Sequence, residues 1–365
     1  MTSRPVKKVL HVLGDKSWKP QYKYLGSTKD IIGRRDYFRS RGIECVELLV
    51  KGRQDSYCLE DLKAMDLSDI DAVLMEHPRY PKAMRYLRQT HPHIIQMIRG
   101  HNAELIHQIH TSFAYLKSGL AGFRWRFKRA RMSGRNALDR LAFDVACGRQ
   151  ADYVLAIADW EAKHYWPKIV PARKVLICPY FLPESYIEPA SETPKVHRVI
   201  CAMSADWSPL AHDAAKVMVT LVNKATPEQL GGWKFMVTGD LGKHKPNYKA
   251  MADSGRVMVT GNLANPFEKT KQARVLAHLS NLGMGFKTKL LDFVHFGGWI
   301  MMPRKLFERQ PEEIRPFCIV VDPMTPAGFS KALMAAKKQW PDPKDVNDKL
   351  RERAFSAMDK AFGLA

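Results

Sequence analysis

Along the chain, short apolar runs alternate with amphipathic stretches. "KKVLHVLG" (7–14), "IECVELLV" (43–50), "DAVLMEH" (71–77), "HIIQMIRGH" (93–101), "ADYVLAIA" (151–158) and "KVLICPYF" (174–181) read as buried strands. "STKDIIGRRDYFRSRG" (27–42) and "KAMRYLRQTH" (82–91) carry helical spacing, the first with Ser27 or Thr28 as N-cap and Gly42 as its stop. Between about 183 and 197, "PESYIEPASETPKVH" interrupts the pattern with prolines and polar filler, which predicts a linker.

A second series follows. "RVICAMS" (198–204), "WKFMVTG" (233–239), "RVMVTG" (256–261), "WIMM" (299–302) and "CIVVD" (318–322) predict strands. The segments 209–225, 266–279 and 326–340 predict helices, the second with an apolar stretch near its end. A last helix is expected over 344–362. Strands alternating with helices imply crossover units and parallel sheets, whose ligand sites lie beyond the carboxyl ends of the strands. The expectation is an α/β chain of two Rossmann-like domains. Residues 1–185 form the first and 186–340 the second, and a helix in 341–365 is free to return to either.

Charge changes this picture. The 365 residues carry a formal net charge of +21, which points to a polyanionic partner: nucleic acid, an anionic membrane surface or phosphate-bearing substrates. The six cysteines show no CxxC spacing, so they predict neither a zinc site nor a disulfide framework, and reduced cytosolic thiols are expected. The apolar run near the N-terminus is too short for a signal peptide. No run of eighteen apolar residues is present. "DID" (69–71) precedes a strand and reads as a turn, and the histidines near 101–110 lack a ligand pattern, so no metal site is expected.

The stretch "NLGMGFKTKLLDFVHFGGWIMM" (281–302) concentrates the candidate chemistry. It is not a P-loop, since Asn281 and Phe286 stand where GxxxxGK[ST] needs glycines. Gly283 and Gly285 still permit a tight turn into a helix beginning near Lys287 or Thr288. Unpaired amides, the helix dipole and two lysines would favour an anion there. The bland alternative is a capped helix with solvated lysines.

This stretch resembles the signature of the GT-B glycosyltransferases of retaining family 4, "GxGxKxKxLE" ending in "GxPVV", here "GMGFKTKLLD" and "FGGWIMM". "CAMSADWSPLAHDAA", "KFMVTGD", "VMVTGNLANPFEKTKQARV", "YLGSTKDIIGRRDYF", "IRGHNAELIHQ" and "ADYVLAIADWEAKHY" resemble other family segments in the family's order. The resemblance implies a GT-B fold with two parallel sheets facing across a cleft. It also implies sugar transfer from a nucleotide-diphosphate donor with retained configuration and no metal cofactor.

By the same resemblance, Lys287 and Lys289, with Gly283, Gly285, Phe286 and Thr288, would cradle the diphosphate. Asp292 would take the ribose-binding place, and Gly261, Asn262 and Leu263 would line the base. Ser204 and Asp206 would face the cleft. His101 and Glu104 would sit near the reacting sugar, with Lys287 completing the catalytic set. His101 and Glu104 read equally as a structural turn and a helix N-terminal carboxylate. Met284 stands where many members keep a glutamate, and "SADWSPL" lacks a common Arg/Lys pair.

One further segment, 114–140, holds eight Lys/Arg against one acid. In it Phe123, Trp125 and Phe127 alternate with Arg124, Arg126 and Lys128, followed by Arg129 and Arg131. Alternation in an extended chain would gather the aromatics on one side, whereas a helix would spread them. The composition suits an anionic bilayer or a single-stranded nucleic acid, the alternative being a solvated helix with its aromatics tucked in. The expectation is a cytoplasmic enzyme peripheral to the inner membrane face, acting on a lipid-linked or polysaccharide acceptor. The competing readings are nucleic-acid binding or glycosylation, and a non-catalytic relic of the fold.

Overall fold

The structure is a computed structural model. It describes residues 5–15, 18, 22–118, 122–188, 195–203, 208–239 and 255–365. Its first half runs β1 (Lys8–Gly14), α1 (Gly26–Ser40), β2 (Glu44–Val50), α2 (Asp55–Ala64), β3 (Ala72–Met75), α3 (Pro81–Thr90), β4 (Ile95–Gly100), α4 (Glu104–Lys117), α5 (Phe123–Gln150), β5 (Tyr153–Ala156), α6 (Asp159–His164) and β6 (Val175–Ile177). The second half runs β7 (Val196–Ala202), α7 (Pro209–Lys224), α8 (Pro227–Leu230), β8 (Lys234–Thr238), β9 (Val257–Gly261), α9 (Pro266–Gln272), β10 (Ala273–Ala277), α10 (Thr288–His295), β11 (Trp299–Met302), α11 (Arg304–Phe307), β12 (Cys318–Val320), α12 (Pro326–Ala335) and α13 (Val346–Ala361).

Each half contains one six-stranded sheet, ordered β2-β1-β3-β4-β5-β6 and β12-β11-β10-β7-β8-β9. Every pairing is parallel. Helices cover both faces, so the strands are mostly apolar: Val9, Leu10, Val12 and Leu13 in β1, around a buried His11, and Ala72–Leu74 in β3 are fully buried. Each such side chain contributes roughly 1.5–3 kcal/mol of transfer free energy. Gly100 ends β4 beneath the fully buried Trp166, whose indole leaves no room for a Cβ.

One expectation is corrected here. The segment 266–279 is not one helix: α9 ends at Gln272, and Ala273–Ala277 forms a strand paired with both β7 and β11. The apolar stretch is that strand. Its place inside the sheet buries both its faces and removes the period that marks a strand. Of the two conformations weighed for 114–140, the structure has the helix, since α5 is helical from Phe123 onward. Asp71 accepts from the Lys7 and Lys8 amides at 2.7 and 3.0 Å and Asp69 pairs with Lys8, which makes "DID" a turn.

The last helix, α13, packs against the first sheet's side of the molecule. The Val6 amide donates to Phe362 O (3.1 Å), Tyr37 Oη to Asp359 (3.0 Å), and the Leu182 amide to Asn347 Oδ1 (2.6 Å). One apolar cluster joins first-half residues such as Val9 and Tyr37 to second-half residues such as Leu290 and Phe293, and to Leu350 of α13.

Candidate functional site

The carboxyl ends of β4 and β10 bring the loop 281–287 against the first half. Gly283 and Gly285 have φ of +102° and +78°, a conformation glycine adopts freely. At Gly285 the need is also spatial, because a Cβ would lie 2.6 Å from His101 O and would overlap Asn102. Three consecutive residues are seated across the halves. The Gly283 amide donates to His110 Nδ1 (2.9 Å), Met284 is buried in the first-half apolar cluster, and the Gly285 amide donates to Glu161 Oε1 (2.7 Å). Met284 thus serves as an apolar pin, a role open to a thioether and closed to a glutamate.

Beyond this turn, Lys287 precedes α10 as its N-cap without a side-chain cap, and Thr288 Oγ1 abuts Gly26 at the start of α1. Lys287 Nζ donates to Met284 O (2.6 Å), Lys289 Nζ to Ala202 O at the end of β7, and Arg309 to Gly283 O (3.1 Å). Burial pushes the Lys287 ammonium down to about 8, helped by Lys289 and Arg309 and opposed by Glu161. Burial also lowers Lys289. The same burial pushes Glu161 up to about 7 despite the Gly285 amide. Three cations therefore share one carboxylate whose ionisation burial opposes.

Neutral imidazoles complete the surroundings. His107 is pushed down to about 4 by burial, then by Lys287, and His278 is held well below its usual value by burial and both lysines. His107 Nδ1, both His278 nitrogens and Glu161 Oε2 are buried with no hydrogen-bond partner among the described residues. Such groups are costly to leave unpaired. Backbone amides, a helix N-terminus, excess cation and spare donors together match an anionic, hydrogen-bonding ligand.

The other candidates fall into three groups. Gly261 ends the edge strand β9 and Asn262 and Leu263 follow it; β9 lies three strand spacings from β10, or about 14 Å. Glu104 opens α4, where it accepts from Asn102 Nδ2 (3.2 Å) beside His107. Ser204 and Asp206 lie outside the described residues.

Three candidates are held by neighbouring side chains. Asp292 is buried and held by Lys29 Nζ of α1 and Tyr180 Oη (3.2 Å), so its carboxylate joins the two halves. The Phe286 side chain is buried against Tyr180, with ring centroids 5.8 Å apart, and anchors the turn whose amides are the expected contacts. His101 is engaged at both ring nitrogens: Nδ1 lies 3.5 Å from Asp30, Nε2 lies 3.1 Å from Glu76, and its ring packs on His77.

His101 belongs to a buried polar network. Arg34 bridges Glu76 (2.6 Å) and Asp30 (3.0 Å), and Arg99 pairs with Asp30 (2.8 Å). Burial works upward on Glu76, yet Arg34 and hydrogen bonds from His101 and His11 hold it well below the usual carboxylate range. Ligand atoms of Asp30, Glu76 and His101 lie within 4.8 Å of one another, a spacing a metal could use. Guanidinium groups already occupy those carboxylates. In a second such group, His11, Cys45 and Glu47, Arg35 holds Glu47 by two bonds of 2.6 Å.

His107, His110, Glu161, His278 and Arg309 were not among the sequence candidates. A partial signal exists in "ELIHQIH", whose Glu104, His107 and His110 recur every third position along one helix face.

No protein-family model matches the chain, and no curated protein does. Solved structures do. The lipopolysaccharide outer core galactosyltransferase WaaB, in its apo form, superposes with a TM-score of 0.61 at 11% identity, over 97% of this chain and 98% of that one. The fold is GT-B. Sucrose-phosphate synthase of Thermosynechococcus elongatus gives 0.61 at 12% identity over 98% and 96%. Anabaena HepE, solved in complex with UDP, gives 0.56 at 9% over 97% and 95%. At these identities the shared property is the fold, including two parallel-sheet halves.

Proposed function

We propose that this chain is a glycosyltransferase that moves a sugar from a nucleoside-diphosphate donor to a lipid-linked or polysaccharide acceptor, with retention. The observation that carries the reading is the cationic turn at 283–289, with Lys287, Lys289 and Arg309 around one weakly ionised carboxylate. The fold, and UDP bound in the structure of HepE, support it. As the glycosidic bond breaks, charge gathers on the leaving diphosphate. The lysines and the first amides of α10 stabilise it, the work a divalent metal performs in other transferases. A diphosphate would take the Gly285 amide from Glu161, an exchange of one anion for another. Hydrolysis of a panel of sugar nucleotides, with thermal shift by UDP and GDP, tests the reading. Turnover of at least one donor and stabilisation by its nucleotide are expected. No turnover and no shift with any would favour a non-catalytic relic.

The acceptor side carries the membrane part of the proposal, at the cytoplasmic face of the inner membrane. Among the described residues no helix is long and apolar enough to cross a membrane. On α5, Phe123 and Phe127 are stacked and exposed at 68% and 54%, and Phe113 of α4 is exposed at 49%. Arg124, Lys128, Arg131 and Arg135 form an adjacent exposed stripe at helical spacing. Trp125 turns inward, 5.7 Å from the Tyr115 ring, so the surface aromatics are the two phenylalanines. A Phe123→Ala/Phe127→Ala variant should float with phosphatidylglycerol vesicles at least about tenfold less than the parent. Unchanged flotation, or salt-sensitive retention on DNA in its place, would sink the membrane reading.

A further inference from the structure

The short helix α6 of the first half meets the second half with three consecutive side chains. Asp159 Oδ1 accepts from Arg353 of α13 (2.8 Å), and the same guanidinium holds Glu313, which precedes β12, at 2.8 and 3.0 Å. The Trp160 ring carries the Arg309 guanidinium at 5.4 Å, and Arg309 in turn donates to Gly283 O (3.1 Å). Glu161 accepts from the Gly285 amide (2.7 Å). Successive helical residues are turned by about 100° from one another. Contacts from three in a row therefore mean that the second half reaches around the start of α6.

These contacts use up the donors that an anion would need. The Gly283 amide is spent on His110 Nδ1 and the Gly285 amide on Glu161 Oε1. The carboxylate is poorly rewarded for this. Glu161 is 1% exposed, and its Oε2 is buried with no hydrogen-bond partner among the described residues. A buried carboxylate short of partners is costly to keep ionised. The outer end of the grip is weak as well, since the Asp159 and Arg353 side chains are 28% and 33% exposed and such pairs contribute little. The halves do not depend on α6 to stay together. The buried Lys29 and Asp292 pair and the shared apolar cluster join them elsewhere.

We propose that Glu161 is a built-in competitor for the donor's diphosphate and α6 the clasp that carries it. The empty turn is filled by the protein's own carboxylate, and an incoming diphosphate displaces Glu161 and loosens α6 while the halves stay joined. This rests on the reading of the turn as the diphosphate cradle and adds what regulates it. The competition sets a ceiling on donor affinity. It also speeds the departure of the nucleoside-diphosphate product, because the returning carboxylate takes back the Gly285 amide. A carboxylate that merely shaped the turn would act in the opposite sense: it would strengthen anion binding, and the anion would tighten α6.

Isothermal titration of the full chain with inorganic pyrophosphate at constant ionic strength separates these roles, because it needs no turnover and no knowledge of the sugar. Glu161→Gln keeps an oxygen for the Gly285 amide and removes the charge, so it should bind pyrophosphate at least about tenfold more tightly than the parent. Asp159→Asn does not touch the turn and loosens only the clasp, so it should bind about two- to fivefold more tightly. Lys289→Ala locates the site and should bind at least about tenfold more weakly. Hydrogen exchange of 159–164 in the parent should become faster with pyrophosphate bound. Unchanged or weaker binding by Glu161→Gln would overturn the competitor. Exchange in α6 that is slowed or unchanged by pyrophosphate, or unchanged binding by Asp159→Asn, would overturn the clasp. No binding to the parent, or undiminished binding to Lys289→Ala, would overturn both. Failure to hydrolyse any sugar nucleotide would leave these titrations readable, so this proposal and the glycosyltransferase reading fail separately.

Discussion

Replacing Lys287 by alanine should lower kcat for donor hydrolysis by about 10²–10³, and Lys289→Ala should do so to a similar extent. Lys287 caps the turn and faces Glu161 and Lys289, while Lys289 reaches back to Ala202 O at the end of β7. Neither makes an ion pair within 4.0 Å among the described residues, so their removal relieves a buried charge and should leave the unfolding midpoint unchanged or raised. The pH profile gives a second readout. Burial holds the Lys287 ammonium down to about 8, and only the ammonium stabilises a leaving diphosphate. The value of kcat/KM should therefore fall as pH rises through about 8, and Lys287→Ala should lack that falling limb. Wild-type rates and an unaltered alkaline limb in both variants would show that the turn does not hold the diphosphate.

Much of this turn was legible in the sequence, because glycines before a lysine-bearing helix state their conformation and charge locally. What was not legible was everything that meets the turn from the other half. His110 and Glu161 stand 173 and 124 residues from the glycines they hold, and no local pattern links them. The fold shows the same division. Two alternating series separated by a proline-rich break announced two parallel sheets. The strand Ala273–Ala277, apolar except at Arg274 and directly after α9, looked like a helix tail, since a short mostly apolar run carries no clear period. The stretch 123–128 was open between an extended chain and a helix. The helix turns Trp125 inward and leaves Phe123 and Phe127, four apart, stacked on one face.

Asp292 is where motif and structure disagree most, and its substitution separates them. Its position in the motif points to a ribose, and its surroundings point to a joint between the halves. Lys29, 2% exposed, pairs with it from α1, and the Lys29 ammonium also lies over the Tyr180 and Phe267 rings at 5.8 and 5.6 Å. Asp292→Ala would leave that ammonium buried and uncompensated, which typically costs about 3–5 kcal/mol, and Lys29→Ala would strand the carboxylate with a similar cost. Lys29→Met/Asp292→Leu removes both charges at similar volume and should recover most of the loss, because desolvating a buried pair offsets much of its attraction. Urea unfolding of the four proteins measures this as a coupling energy. A ribose ligand behaves otherwise: Asp292→Ala would then keep the parent's stability and weaken nucleotide binding, and the double variant would be no more stable than the single one. The first result is expected, since this carboxylate is held by a lysine and a tyrosine of the opposite half.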